Sequence, residues 1–291
     1  MNKLITYIFL LISFSCTQNS EHKKEVILKA LFEPDVKQLG YINPEGQTIE
    51  SRFLVPSGYE RISQNIDSFS GYLRRLLLKP HGSEVLYYDG KIKPNQNIYD
   101  AVVDLSIGKR DLHQCADAII RLRAEYLYEK GDYERIHFNF TNGFNVSYKN
   151  WMEGYRIIIE GNKTYWKKTS TPSNTRHDFW KYLETVFSYA GTASLSKELK
   201  PIAISDIKIG DVFIKGGFPG HAVIVVDMVE NKDTGNKLFL LAQSYMPAQE
   251  IQVLKNPNDP ALSPWYTTDF GATLNTPEWR FDENSLKRFQ N

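Results

Sequence analysis

The sequence has only two cysteines among its 291 residues, which excludes a disulfide-rich secreted scaffold. It also lacks an excess of charge of one sign, since 35 Lys and Arg are balanced by 34 Asp and Glu for a net charge of +1. That balance provides no broad positive field for nucleic acid, and we expect no nucleic-acid partner. With 42% hydrophobic residues, the chain can nevertheless bury a sizeable core.

Internal repeats and low-complexity segments are also missing, and no motif indicates a cofactor. The closest approach to a metal motif is His113 with Cys115. Residues two apart on a helix point to different faces, so this pair is a poor metal site. We therefore expect neither a cofactor nor a metal.

The longest apolar run of the chain lies at its N-terminus, from Leu4 to Phe14, behind Lys3. It is too short to span a bilayer, which takes about 20 residues, and it is typical of the apolar region of a signal peptide. With Ser15 and Cys16 next, the segment resembles a bacterial lipoprotein signal, although Ser13 stands where that pattern has Leu. A plain secretory signal and an unprocessed helix are the alternatives.

The lipoprotein resemblance implies that residues 1–16 are the signal, that Cys16 carries the lipids and that residues 17–25 are a tether. Thr17 after the cysteine implies an outer-membrane location. The membrane, reached through a lipid anchor, is then one partner. Since a lipidated Cys16 cannot form a disulfide, Cys115 would be the only free thiol.

The remaining residues, 26–291, predict an α+β fold, as one domain or as two lobes, 26–166 and 173–291, separated by a Thr/Ser-rich loop. Apolar spacing and capping residues predict helices at 65–78, at 112–129 with Asp111 as N-cap, and from a cap at Ser173 or Asn174 through Ala190. Strands are predicted at 52–55, 85–88, 101–107, 136–140, 156–159, 211–215, 222–229 and 237–242.

One histidine stands where catalysis is favoured. His221 follows a Gly-Gly-Phe-Pro-Gly loop and opens an apolar strand, so its ring can be held rigidly against a cleft. Cys115 lies on the apolar face of the 112–129 helix within its first two turns, where the helix dipole lowers a thiol pKa. A thiol beside an imidazole makes an activated nucleophile.

The strand after the hairpin supplies a third group. Folding strands 222–226 and 237–242 about their turn brings Gln243 or Ser244 alongside His221, and a register slip of one residue exchanges the two. Two structural interpretations compete with catalysis. Cys115 packed in a core and His221 as a satisfied strand-edge residue are each about as well supported as a catalytic pair.

A cysteine on a helix, a Gly-Asp strand, a Gly-His strand and a polar strand end follow one another in this chain. Over residues 207–244 this order resembles the papain-like NlpC/P60 and CHAP peptidoglycan hydrolases. Gln114 and Ala116 flank Cys115 in their style, although the gap from Cys115 to His221 is unusually long. The resemblance implies a papain-like core with an antiparallel sheet and an elaborated N-terminal half.

By the same resemblance, Cys115 is the nucleophile, His221 the base and Gln243 or Ser244 the group that orients it. The implied reaction is hydrolysis of an amide bond in a cell-wall peptide or a similar substrate.

Nearly the whole mature length is also similar to uncharacterised envelope lipoproteins grouped as domain of unknown function 4846. The segments that carry this similarity are 86–90, 110–118, 137–144, 220–226 and 242–249. That similarity implies an envelope location but no activity. It leaves open a second function, that of a non-catalytic binding or assembly lipoprotein of the outer membrane.

Overall fold

The computed structural model of the protein describes residues 40–290. The predicted signal, the lipidation site Cys16 and the tether 17–25 lie outside these residues. Residues 41–290 pack as one compact unit. Within the described range, no helix combines the length and the apolar composition that crossing a membrane requires.

α-Helices and strands are interspersed as far as Glu198, and within residues 40–290 no α-helix follows that residue. The helices are α1 (Ile49–Arg52), α2 (Phe69–Arg74), α3 (Cys115–Glu129), α4 (Tyr148–Met152), α5 (Arg176–Tyr189) and α6 (Thr192–Glu198). The strands are β1 (Glu60–Arg61), β2 (Tyr99–Val102), β3 (His137–Asn139), β4 (Asn145–Ser147), β5 (Tyr155–Glu160), β6 (Lys163–Lys168), β7 (Lys200–Pro201), β8 (Val212–Lys215), β9 (His221–Glu230), β10 (Lys237–Gln243), β11 (Gln252–Leu254), β12 (Tyr266–Thr267), β13 (Thr273–Asn275), β14 (Arg280–Asp282) and β15 (Leu286–Arg288).

Nine of the strands form one sheet with the order β2-β11-β10-β9-β8-β15-β7, to which β1 adds at β9 and β12 at β10. All of its strand pairs are antiparallel. The pairs β3-β4, β5-β6 and β13-β14 form separate hairpins. The predicted α+β class with antiparallel sheet is therefore confirmed.

Strand β9 forms the centre of the sheet. Its residues from His221 to Val229 are all buried, as expected for an apolar run that is covered on both faces. Helices α2 and α3 pack against it. The hairpin to β10 contains a register shift between Leu240 and Leu241, a local irregularity of the β-bulge type. This shift decides which residues at the end of β10 face the start of β9.

Helix α3 begins three residues later than the sequence predicted. Asp111 does not cap it, because one of its carboxylate oxygens accepts from the backbone amide of Ala248 at 2.7 Å. The N-cap is Gln114, whose backbone amide donates to the side chain of Asp117 at 3.1 Å. Cys115 is therefore the first helical residue and not a residue deep within the helix.

Other predicted boundaries were wrong for similar local reasons. Only Phe69–Arg74 of the 65–78 segment is helical, because Leu78 leaves the helical path to donate to Gln47 at 2.8 Å. The predicted strand 52–55 overlaps the end of α1, and segment 85–88 makes only isolated bridges. Strand β6 and helix α6 were not predicted at all.

Candidate functional site

Cys115 and the start of β9 meet in the structure. Cys115 is the first residue of α3, and its thiol lies near the backbone amide of Ala222, which acts to lower the pKa of the thiol. Ala222 directly follows His221, the first residue of β9. Two residues that are more than 100 positions apart in the sequence therefore lie at one end of the sheet.

The loop before His221 requires glycine at its last position. A Cβ atom on Gly220 would lie 2.4 Å from the hydroxyl of Thr192 and 2.5 Å from the carbonyl of Gly217, closer than real contacts allow. Gly217 itself has φ of +118°, a conformation that other residues rarely adopt. The glycines of this loop thus let α6 pack against the start of β9.

The ring of His221 is held by Gln243. Nε2 of His221 lies 2.8 Å from Oε1 of Gln243, and Nε2 of Gln243 donates to Oε2 of Glu278 at 2.6 Å. Since a carboxylate only accepts, the amide nitrogen of Gln243 must face Glu278 and its oxygen must face the ring. The neutral ring then carries its proton on Nε2, and Nδ1 presents a lone pair.

A partly buried ion pair between Lys93 and Glu278 supports this arrangement. Oε2 of Glu278 also accepts from the ammonium group of Lys93 at 2.7 Å, and Lys93 donates to Oε1 of Gln249 at 2.9 Å. The sequence pattern does not reveal Lys93 and Glu278, because both lie outside regular elements and far from His221 in the chain. Aromatic residues enclose the ring as well, with centroids of Tyr245 at 4.6 Å and Trp279 at 5.4 Å.

Ser244, the other candidate for orienting His221, has a different set of contacts. Its hydroxyl lies 2.8 Å from the backbone carbonyls of both His113 and Gln249. It therefore ties the loop before α3 to the end of β10. His113 is itself fully buried, against the ring of Phe187, and burial lowers its pKa to about 3. Of the two candidates, Gln243 is the one that contacts the imidazole of His221.

Burial dominates the electrostatics of the site. Burial and, to a smaller extent, the nearby Asp117 raise the pKa of the Cys115 thiol to about 11, although nearby backbone amides act in the opposite direction. The expected lowering by the helix N-terminus is therefore outweighed. Burial likewise lowers the pKa of His221 to about 4, with Lys93 adding to the effect and Gln243 opposing it. At neutral pH both groups are uncharged.

Nδ1 of His221 is one of six buried side-chain nitrogen and oxygen atoms in residues 40–290 that lack a hydrogen-bond partner. It is buried and has no hydrogen-bond partner within residues 40–290, so no bond joins it to the Cys115 thiol. Buried polar atoms are nearly always paired, and an exception calls for an explanation. A base that awaits a proton is one such explanation.

A pocket of about 450 Å³ opens in front of Cys115, and we call it the Cys115 pocket. The start of α3, the end of α5 and the start of α6 form its walls, and the loop before β9 forms one edge. Phe218, 96% exposed, and Met246 stand at its rim. Cys115 itself is 8% exposed. The thiol therefore lies at a wide pocket with a partly apolar lining.

Elsewhere in the described part of the chain, no group of three His, Cys, Asp or Glu side chains is arranged to hold a metal ion. Asp211, which follows Gly210 before β8, accepts from the backbone amide of Lys208 and pairs with Arg288 at 2.6 Å. It shapes the entrance to β8 and does not contact His221.

Comparisons with known proteins identify the family but no characterised relative. No curated protein and no solved structure matches the chain. One family model, described as a domain of unknown function (4846), matches residues 49–288. The matched region runs from α1 to β15 and includes Cys115, His221, Gln243 and Glu278. The chain belongs to the family of domain of unknown function 4846.

Proposed function

We propose that the protein is a cysteine hydrolase of amide bonds with a papain-like site. The observation that carries this proposal is the hydrogen bond between His221 Nε2 and Gln243 Oε1, which leaves the buried Nδ1 without a partner. The backbone amide of the next residue along β9 lies near the Cys115 thiol and acts to lower its pKa. A nucleophile, a base and an orienting group in this order form the triad arrangement.

The chemistry follows from these positions. Nδ1 of His221 takes the thiol proton as the sulfur of Cys115 attacks the carbonyl carbon of the substrate. The imidazolium then gives that proton to the leaving amine, and a water molecule hydrolyses the thioester. Backbone amides in the first turn of α3 lack helical partners, and they are suited to stabilise the oxyanion.

The uncharged resting state determines when the proton moves. With a thiol pKa of about 11 and an imidazole pKa of about 4, a separated thiolate and imidazolium are unfavourable before substrate binds. The transfer is therefore coupled to attack on the carbonyl. Gln243 and Glu278 assist by keeping the Nε2 proton in place, so that Nδ1 remains the accepting atom.

The substrate we propose is a cell-wall peptide or a similar amide. The Cys115 pocket is open and has exposed apolar side chains at its rim, as suits an extended chain rather than a small enclosed molecule. We further propose that the protein is an outer-membrane lipoprotein anchored through Cys16. Replacing Cys16 with Ala should then release the protein from the membrane fraction, and continued retention would contradict the anchor.

A second function, that of a non-catalytic binding or assembly lipoprotein, is favoured by one set of observations. Cys115 is 8% exposed, its thiol pKa is raised, and the histidine pKa is lowered. Those values are also what a packed core cysteine beside a buried neutral histidine would have. Activity separates the two functions, and thiol reactivity tests the uncharged resting state that both share.

Activity is tested on a peptidoglycan-derived peptide with Cys115→Ser, His221→Ala and the double variant. We expect each to lose turnover, and the double variant to lose no more than the single ones, because nucleophile and base act as a unit. His81→Ala, at an exposed histidine, is the matched control and should keep full activity. If the folded wild-type protein turned over no peptide amide, the hydrolase proposal would fail and the binding function would remain as the proposal.

Alkylation by iodoacetamide tests the state of the thiol. With its pKa near 11, Cys115 should react at pH 7 roughly a hundredfold or more slowly than a free cysteine of pKa about 8.5, and about tenfold faster per pH unit above that. The alternative outcome is a rate that is already maximal near pH 7. That outcome would show a preformed thiolate and contradict the uncharged resting state.

A further inference from the structure

Two arginines on helix α3 have the same exposure but different surroundings. Arg121 and Arg123 are each 6% exposed. Arg121 pairs with Glu125 at 3.3 Å and donates to the backbone carbonyl of Ser106. For Arg123, by contrast, no hydrogen bond and no ion pair to a carboxylate or carbonyl is formed within residues 40–290, and its contacts are of the cation–π type. Its contacts are with rings, at 5.1 Å from Phe69, 5.6 Å from Tyr126 and 5.5 Å from Phe289.

An arginine buried without an anion is costly. Burial and the positive charge of Arg135 lower the pKa of Arg123 to about 10, although Tyr126 and Asp132 act in the opposite direction. Contacts with aromatic faces recover part of the desolvation energy, but they leave the N–H donors of the guanidinium without acceptors. The aromatic residues also fix the side chain in one position. Arg123 is thus a rigid, charged donor group that faces no protein acceptor.

The donors of Arg123 face a second pocket, of about 490 Å³, which we call the Arg123 pocket. Three more cationic residues line it. Arg288 is paired with Asp211 at 2.6 and 2.7 Å, and Arg135 with Asp132 at 3.1 Å. The ammonium group of Lys208, however, makes no ion pair in the described part of the chain. Arg123 and Lys208 therefore leave two positive charges uncompensated at one pocket.

We propose that the Arg123 pocket binds a phosphate group, either as inorganic phosphate or as a phosphate monoester. A phosphate dianion balances the two uncompensated charges, whereas a single carboxylate balances only one. The planar guanidinium can donate two parallel hydrogen bonds to such a group, and lysine adds a point charge. The bound anion would supply the acceptors that Arg123 lacks.

This site is separate from the proposed catalytic one. Arg123 lies eight residues after Cys115 on α3, which is about 12 Å along the helix axis. The Cys115 pocket and the Arg123 pocket share no lining residue. Phosphate binding can therefore be established or refuted whether or not the protein hydrolyses amides.

The test is a titration of the protein with inorganic phosphate, followed by calorimetry and by the melting temperature, with sodium chloride at matched ionic strength as reference. We expect saturable binding and a rise in melting temperature of a few degrees at a large excess of phosphate. Acetate at the same concentration should give a much smaller rise.

Two variants on the same helix make the test specific. Arg123→Met should abolish the response to phosphate and raise the melting temperature in its absence, because an unpaired buried charge is removed. Arg121→Met is the matched control, equally buried but paired, and it should lower the melting temperature while keeping the phosphate response. Lys208→Met, at an exposed site, should weaken phosphate binding about tenfold and leave the melting temperature unchanged.

Three results would overturn the proposal. The first is an equal stabilisation by sodium chloride at the same ionic strength, which would reduce the effect to screening. The second is an unchanged phosphate response in Arg123→Met, or in Lys208→Met if the first variant does not fold. The third is an acetate response as large as that of phosphate, which would assign a carboxylate ligand instead.

Discussion

The two ends of strand β9 each bury an ionisable side chain, and they differ in how completely it is paired. Asp227, near the end of the strand, pairs with Arg61 at 2.9 Å and Arg74 at 2.7 Å, and it accepts from the amide of Met228 at 2.8 Å. His221, at the start, has one nitrogen paired with Gln243 and one without a partner.

This difference supports the catalytic role that we propose for His221 and gives no such support for Asp227. The carboxylate of Asp227 has three donors around it. The imidazole of His221 has an open lone pair next to the residue that contacts Cys115. A buried polar atom without a partner is a cost to folding, and such costs are tolerated mainly at functional sites.

The largest effect on stability should come from removing Asp227, the fully paired group near the end of β9. Asp227→Ala leaves the guanidinium groups of Arg61 and Arg74 buried without an anion, and we expect a loss of about 3–5 kcal/mol in the free energy of unfolding. Urea denaturation measures this loss, with Asp233→Ala in the exposed hairpin turn as control. A loss below about 1 kcal/mol would mean that solvent reaches the two arginines.

An intermediate effect on stability should come from Glu278, which bonds to Gln243 and pairs with Lys93. Glu278→Gln removes the anion that fixes the amide of Gln243 and pairs with Lys93, at a cost of about 1–3 kcal/mol. The amide can then invert, so part of the His221 population should carry its proton on Nδ1. The ¹⁵N chemical shifts of the ring report this tautomer, and hydrolysis should fall in proportion.

The control for that experiment is Glu283→Gln, at an exposed position near the same end of the chain. It should leave both the stability and the ring tautomer unchanged. If Glu278→Gln also left the ¹⁵N shifts unchanged, Glu278 would not position the ring through Gln243.

The smallest effect on stability should come from the rim of the Cys115 pocket. Phe218 is 96% exposed, so Phe218→Ala removes almost no buried area and should change the free energy of unfolding by less than about 0.5 kcal/mol. If the rim binds substrate, KM should rise while kcat changes little. A fall in kcat with unchanged KM would indicate that the loop acts on His221 instead.

Part of this site could be predicted from the sequence and part could not. Cys115 and His221 stood out because each lies at the boundary of a strongly patterned element. The choice between Gln243 and Ser244 could not be made, since the register shift at Leu240 and Leu241 leaves no clear signal in composition. Period-2 patterns assume an unbroken ladder, and one inserted residue exchanges the two faces.

Lys93 and Glu278 could not be found from the sequence for a different reason. Both lie in segments without periodicity, and their pairing depends on how the two halves of the chain close around the sheet. The late start of α3 has a long-range cause, which the local sequence pattern does not show. Asp111, a good cap by composition, is occupied by the amide of Ala248, which is distant in sequence.

The central position of β9 also determines when the site forms during folding. Glu60 of β1 pairs with Glu230 of β9, and β2 pairs with β11. The strand pairs of this sheet therefore join parts of the chain that are distant in sequence. Such pairings form late, because loop closure must precede them. The amide of Ala222 should accordingly exchange its hydrogen only by global unfolding. During synthesis Cys115 leaves the ribosome about 100 residues before β9, the strand that covers it. Its thiol is therefore protected only once the whole fold is complete.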